Sequence, residues 1–252
     1  MRDYDLAAYG QRIAGVYDDW MRAIDPADAV EALARLAGQG PVLELGIGTG
    51  RIALPLAERG VEVHGIDVSE AMLARLREKP GGERITTTLG DLADVAVEGR
   101  YSLVFVAANT FFGVLSQDEQ VRCFANVEAR LLEGGVFVIE AFVPDPARFA
   151  PGRLSVRSVE LDSVRLEASL HDPVSQTIDA QAIELSEPGV RFVPFRLRYA
   201  RPSELDLMAQ LARLRLRERW GDWSSEPFTA ASKHHVSVYE RAGTHRGDVA
   251  SA

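Results

Sequence analysis

The apolar positions of the chain change period several times, and each change marks an element. Leu6, Tyr9, Ile13, Val16, Tyr17 and Trp20 recur at near-helical spacing, which predicts one amphipathic helix over about residues 3–22 with aromatics on its apolar side. A second helix opens at Asp25-Pro26, the proline suiting the first helical position, and runs through Val30, Leu33 and Leu36 to Gly38. The pattern then becomes strand, turn, helix, strand. Val42-Leu43-Glu44-Leu45 is a short apolar run, Gly46-Ile47-Gly48-Thr49-Gly50 breaks it, and Ile52, Leu54, Leu56 and Ala57 resume at helical spacing. Residues 61–66 form a second apolar run that ends on Asp67. Ser69 caps the next helix, which carries Met72, Leu73 and Leu76, with Glu70 in its first turn. A β-branched run at 85–88, an apolar strand at 101–106, a helical run at 119–132 and a strand after Gly134-Gly135 follow.

Past Val143-Pro144-Asp145-Pro146 the texture changes. Residues 154–159, 164–170, 177–185 and 190–199 lean toward strand and are separated by turn-like Asp172-Pro173 and Glu187-Pro188-Gly189. In the last of them Phe195, Leu197 and Tyr199 alternate with Arg196 and Arg198, so one face is apolar and the other wet, and Pro194 points to an edge or a bulge. These segments predict an antiparallel sheet inserted between the fifth strand and the next helix. That helix runs from Pro202 to Leu211. Leu214 and Leu216, alternating with Arg213, Arg215 and Arg217, then predict a sixth strand, and residues 235–239 a seventh. The arginine stripe reads as the solvated face of a strand, with a site for an acidic substrate as the alternative. The polar tail 243–252 is expected to be disordered. No internal repeat is present.

Composition narrows the class. The 252 residues carry 46% hydrophobic and 26% charged side chains, which is ordinary globular material, and no apolar run reaches the ~20 residues of a membrane span. The net charge of −9 opposes binding to nucleic acid or to an anionic membrane. With Cys123 the single cysteine and no hydrophobic signal core in MRDYDLAAYGQR, a reducing cytoplasm and a small-molecule substrate are expected.

The glycine turn carries the chemistry. Glycines permit positive φ and remove Cβ atoms, so backbone N–H groups at a loop and helix start approach a ligand closely. Asp67 lies about 20 residues beyond the first glycine, where a carboxylate accepts both hydroxyls of a ribose. An adenosine-containing ligand is therefore expected. A dinucleotide fingerprint counted from Gly46 requires glycine or alanine at the position held by Arg51, so the NAD reading loses ground.

What the chain does show, Glu-x-Gly-x-Gly-x-Gly from Glu44 to Gly50, resembles the first motif of the class I S-adenosylmethionine (SAM) methyltransferases. Thr88-Leu89-Gly90-Asp91-Leu92 resembles that family's adenine-contacting acidic loop. Ala107-Ala108-Asn109-Thr110 stands where its active-site loop follows the fourth strand, and Leu131 to Glu140 resembles its helix, Gly-Gly turn and fifth strand. The resemblance implies an α/β fold: a Rossmann-like, seven-stranded, mostly parallel sheet with helices on both faces and a reversed last strand, plus the inserted antiparallel sheet. Residues 1–150 and 200–242 would form the SAM-binding domain with an N-terminal helical cap, and 151–199 the insert, serving as a substrate lid, a homodimer surface or both. The placement of the insert is similar to that in macrolide aminosugar N,N-dimethyltransferases, an association with secondary metabolism. The cofactor implied is SAM, with S-adenosylhomocysteine as product, held by Glu44, Gly46, Gly48, Gly50, Asp67, Val68, Met72, Asp91, Leu92 and Asn109. Tyr17 would close over it, with a core-packing role as the alternative, and Met72 likewise reads as either adenine wall or core.

Methyl transfer from a sulfonium is an in-line displacement that alignment in a dry pocket accelerates, so an N or O acceptor needs no obligatory catalytic residue. Where a general base helps, His171 at the Asp172-Pro173 turn is the candidate. His234 and His235, as strand neighbours, face opposite ways and are expected to be surface or structural, and His64 inside the second strand to pack. Asn109, Phe111 and Phe112 are expected to line the transfer site. Asn109 stands alone, without the acidic ligands that hold a metal in catechol-type enzymes, so no metal is expected. Thr110-Phe111-Phe112 after Asn109 is not the Pro-Pro-aromatic sequence of base-methylating enzymes. Two other readings stand beside methyl transfer: a SAM-binding scaffold or rearrangement catalyst, and an NAD-dependent oxidoreductase, which also lacks a Tyr-x-x-x-Lys pair.

Overall fold

The computed structural model describes residues 4–145 and 152–243. The tail beyond Gly243, expected to be disordered, lies outside them.

Seven strands form the main sheet: β1 (Val42–Leu45), β2 (Val63–Asp67), β3 (Thr86–Leu89), β4 (Tyr101–Val106), β5 (Leu131–Phe142), β10 (Leu214–Trp220) and β11 (His234–Arg241). Their order is β10-β11-β5-β4-β1-β2-β3. β11 runs antiparallel to both neighbours and the rest of the sheet is parallel. Parallel strands joined by helical crossovers are covered on both faces, which is why β1 is buried at every position and β4 at all but Ser102. One face packs α6 (Gln117–Arg130) and α7 (Pro202–Leu211) over Phe124, Phe137 and Tyr239. The other packs α3 (Ala27–Ala37), α4 (Ala53–Glu58) and α5 (Glu70–Arg77) over Leu33, Leu56 and Leu73. Strand order reverses between β1 and β4, so the loops leaving their C-terminal ends diverge and open a crevice.

The insert is a separate sheet in the order β6-β7-β8-β9, comprising β6 (Gly152–Val159), β7 (Ser163–Asp172), β8 (Thr177–Ser186) and β9 (Gly189–Arg198). All its pairings are antiparallel, as the alternation predicted. Arg198 anchors it to the body. This buried guanidinium donates to Gln120 of α6 and, at 2.9 Å, to Glu204 of α7.

Three expectations need correction. The N-terminal amphipathic stretch is two helices, α1 (Leu6–Ile13) and α2 (Tyr17–Met21), because the chain turns through Ala14, Gly15 and Val16. Pro26 caps α3 rather than opening it, and the Asp25 carboxylate accepts the Ala27 N–H at 2.9 Å. Arg213 precedes the sixth strand with φ +60°. Arg215 and Arg217 do stay on a wet face, paired with Glu240 and Glu218. A bulge between Leu216 and Glu218 then re-aims the strand, so Arg219 turns inward onto Asp206 at 2.6 Å, the Ser237 hydroxyl and Tyr239.

Candidate active site

The glycine turn between β1 and α4 holds Gly46, Gly48 and Gly50 at φ +72°, +56° and +80°. A Cβ on Gly46 would lie 2.3 Å from Thr110 Cγ2, so only glycine lets the turn pass the loop after β4. Asp67, at the tip of β2, accepts the Gly48 N–H at 2.8 Å and the Ser69 N–H at 2.9 Å, which fixes its carboxylate beside the turn. Burial raises its pKa against the pull of those backbone donors.

A cavity of about 300 Å³ opens here. Gly46, Gly48, Asp67 and Val68 form its floor, Met72 and Leu92 its apolar walls, and Tyr17 and Asn109 its far side. The donor set suits an adenosine ligand: a fixed carboxylate for ribose hydroxyls, apolar walls for a flat base, and backbone bare of Cβ atoms between them. Glu44, Gly50 and Asp91, expected among the cofactor residues, do not line it. Glu44 is buried under the turn with Oε2 lacking a partner among the described residues; Tyr17 and Arg51 stand nearby. Gly50 packs against Leu76 and Leu54. The Asp91 carboxylate accepts the Ala93 N–H at 2.7 Å, shaping the loop that presents Leu92.

Helices α1 and α2 close the cavity from above. Gly10 makes this possible, since a Cβ there would meet Ser69 Cβ at 2.3 Å and hold α1 away from α5. α2 is latched to the glycine turn: Thr49 Oγ1 and Lys79 Nζ donate to Asp18 Oδ1 at 2.6 and 2.8 Å, and Lys79 also donates to the Thr49 carbonyl at 2.8 Å. Burial opposes the charge on Asp18, but the bonds from Lys79 and Thr49 prevail and hold its pKa low. Tyr17 hydrogen-bonds Arg51, and burial raises its phenol pKa despite the nearby guanidinium.

A second cavity, about 540 Å³, lies between these helices and the inner face of the inserted sheet. Tyr9, Met21, Ile24, Ala108, Asn109 and Thr110 line both cavities and so mark their junction. Beyond it stand Tyr4, Trp20, Phe195, Arg165 and Glu167. Tyr9 meets Phe195 edge-on with ring centroids 6.3 Å apart. The junction loop is strained, with Ala108 and Asn109 both left-handed at φ +53° and +64°. The end of β5 holds it there, where the Ala108 N–H donates to Glu140 at 2.8 Å and Asn109 Oδ1 accepts the Phe142 N–H at 2.7 Å.

Phe111 and Phe112 do not line the site. Both are fully buried and pack edge-on against Phe124 and Phe142, because the turn that carries them folds back into the core. His171 lines neither of the joined cavities; its Nε2 is 2.8 Å from the Tyr199 hydroxyl, and it faces a third cavity together with His234. His235 is structural: Nδ1 meets Ser237 Oγ at 2.8 Å, and burial lowers its pKa to about 3. His64 packs between Tyr101 and Glu62. Sequence reasoning passed over Tyr9, Gly10, Trp20 and Phe195 as site residues. A glycine inside an amphipathic helix was the one available sign that α1 makes a close approach. Among the described residues no group of three or more His, Cys, Asp or Glu is placed to hold a metal ion, and no helix is long and apolar enough to cross a membrane.

Comparison with known proteins agrees with this geometry. A family described as "Methyltransferase domain" matches residues 42–135. The CcbJ methyltransferase of Streptomyces caelestis is 47% identical, with 95% of this chain and 100% of that one covered and a TM-score of 0.91. The cypemycin N-terminal methyltransferase of a Streptomyces species is 30% identical over 207 residues, which is 79% of this chain and 82% of the relative. The glycopeptide N-methyltransferase MtfA, solved with SAM bound, is 20% identical with a TM-score of 0.61 over 87% of this chain and 88% of its own, and shares the fold alone. The oxidoreductase reading is set aside: the chain belongs to the class I SAM-dependent methyltransferases.

Proposed function

We propose that the enzyme methylates a nitrogen of a small natural-product acceptor and releases S-adenosylhomocysteine. SAM supplies an activated methyl on sulfur; an acceptor lone pair forms the new C–N bond as the C–S bond breaks, and the resulting ammonium gives its proton to water. The observation that carries nitrogen over oxygen is the junction itself. No histidine or lysine lines either joined cavity among the described residues. Glu167 is committed to Arg157 at 2.6 Å, and burial raises the phenol pKa values of Tyr9 and Tyr17, so both stay protonated. Such a site holds no strong base for a hydroxyl, whereas an amine brings its own lone pair. The name of the cypemycin relative supports the same choice.

In this reading Asp67 holds the ribose, Met72 and Leu92 sandwich the adenine, and the backbone of Gly46 and Gly48 faces the donor. Tyr17 and Tyr9 close over the reacting centre, where their ring faces favour positive charge. Asn109 sets the junction loop and α1–α2 exclude water, so alignment supplies most of the rate. A panel of primary and secondary amines with their matching alcohols, assayed for S-adenosylhomocysteine, tests this. Methylation confined to the alcohols overturns the nitrogen assignment, and SAM binding without turnover of any acceptor favours the scaffold reading.

The insert, 151–199, is proposed as both lid and dimer surface. Its inner face packs Val193 and Ala182 against α1 and α2, while its outer face exposes Leu154, Val156, Leu170 and Phe192. Four strands of about ten residues present roughly 600 Å² at ~4.8 Å strand spacing and ~3.3 Å rise, near the ~800 Å² per partner of a standard interface. A second copy packed face to face is the occupant proposed. Light scattering should give a dimer that Phe192→Arg converts to monomer; a monomeric wild type overturns it.

A further inference from the structure

The third cavity, about 260 Å³, extends the acceptor cavity, because Asn109, Arg157 and Glu167 line both. It lies where the insert meets the main sheet, and arginine, lysine and histidine side chains line it from both. Arg153 and Arg157 come from β6, and His171 from β7. Lys233 immediately precedes β11 and His234 opens it, in register with Phe142 of β5. Two carboxylates also face it, Asp145 and Glu167, and Glu167 is taken by Arg157. Neither Arg153 nor Lys233 has an ion-pair partner among the described residues. A chain of net charge −9 thus places here two cations without an ion-pair partner among the described residues and two histidines, none of which lines the cofactor cavity.

We infer that this annex binds an oxyanion, a carboxylate or a phosphate ester, carried by the acceptor at the end remote from the methylated nitrogen. The inference rests on the acceptor cavity proposed above and adds the substrate's second handle. Arg153 belongs to the insert and Lys233 to the body, so an anion held by both touches both. Both lie at an exposed rim, and their contribution is that of partly hydrated charge pairs. The acceptor then carries a neutral amine at the junction and an anion at the annex. The anion sets the direction in which it enters.

The experiment uses the enzyme loaded with S-adenosylhomocysteine and three probe series of increasing chain length: ω-amino carboxylates, ω-aminoalkyl phosphates and the uncharged ω-amino amides. Calorimetry should show, at the lengths that span junction and annex, about tenfold tighter binding of one anionic series than of the amides, as expected for charge-assisted contacts. Which anionic series gains identifies the source. The double variant Arg153→Glu with Lys233→Glu should lose that preference and prefer α,ω-diamines instead, with SAM affinity unchanged since neither residue lines the cofactor cavity. Equal affinity of all series for the wild type, or an anion preference that survives the charge reversal, overturns the annex. Methyl transfer to the bound probes is followed separately: anion-selective binding without methylation retains the annex and counts against the nitrogen assignment.

Discussion

The two sheets of this enzyme use the same alternation of side chains to opposite ends. In the main sheet both faces are covered, and the cofactor-sized cavity is lined from the turns after β1, β2 and β4, where Gly46, Asp67 and Asn109 are held by left-handed backbone or backbone hydrogen bonds. In the insert the two faces differ instead: Phe195 and Val193 look inward at α1, and Phe192 and Leu154 look out. In the reading proposed above, cofactor recognition is thus written in a few fixed points, and acceptor recognition in a surface. Point substitutions should therefore act sharply on the first and gradually on the second.

The largest effect is expected at Gly46. Gly46→Val places a branched side chain on a left-handed backbone and against Thr110, and should weaken SAM binding about a thousandfold, about 4 kcal/mol by calorimetry, while the insert keeps its β signal in circular dichroism. Normal SAM affinity in a folded variant would erase the distinction between fixed points and surfaces. Next is the joint between the two sheets. Arg198→Met removes the buried cation shared by Gln120 and Glu204, and should cost about 2–4 kcal/mol in urea unfolding, below the full loss for a broken buried pair because Glu204 keeps Gln117 and Gln176. Acceptor turnover should fall before SAM affinity does; if the two fall together, the sheets are one unit. Asp67→Asn is milder still, about tenfold to thirtyfold in SAM affinity for a lost charged hydrogen bond, with the backbone acceptor to Gly48 retained.

The same division explains what the sequence could say. The main sheet was legible because its fixed points have chemical signatures: a glycine where φ must be positive and an acid at the tip of an apolar strand. The Gly134-Gly135 turn expected before the fifth strand lies inside β5, at an irregularity in its pairing with β4. The insert's strands were legible for a simpler reason, since alternation and the breaks at Asp172-Pro173 and Pro188-Gly189 delimit them. What could not be read is which residues meet across elements. Phe111 and Phe112 follow Asn109 directly, yet the turn sends them to the core, while Tyr9 and Phe195 lie 186 positions apart and share a cavity wall. His171 looked catalytic because a histidine at a turn is free to face a pocket; it does face one, but beyond the junction. Arg219 was hidden by a bulge that alternation cannot foresee.

Glu44 supplies the smallest and most discriminating test, because it belongs to the glycine motif without touching the cavity. Burial raises its pKa well above the ordinary carboxylate value, with the Arg51 charge opposing. The folded protein therefore holds the Glu44 proton more tightly than the unfolded chain does. That contribution to stability is present in full below the unfolded value near ~4.3 and is lost as pH rises through the folded value. Glu44→Gln keeps the shape and removes the titration, so the variant's advantage in Tm should be near zero at acid pH and grow toward alkaline pH, by about 2–4 °C for each kcal/mol relieved in a chain of this size. SAM affinity should change less than in Asp67→Asn, since Glu44 acts from beneath the turn. A Tm difference that stays flat with pH would show that the carboxylate is not strained by its burial. Glu44 would then join Asp67 as a charged fixed point of the main sheet.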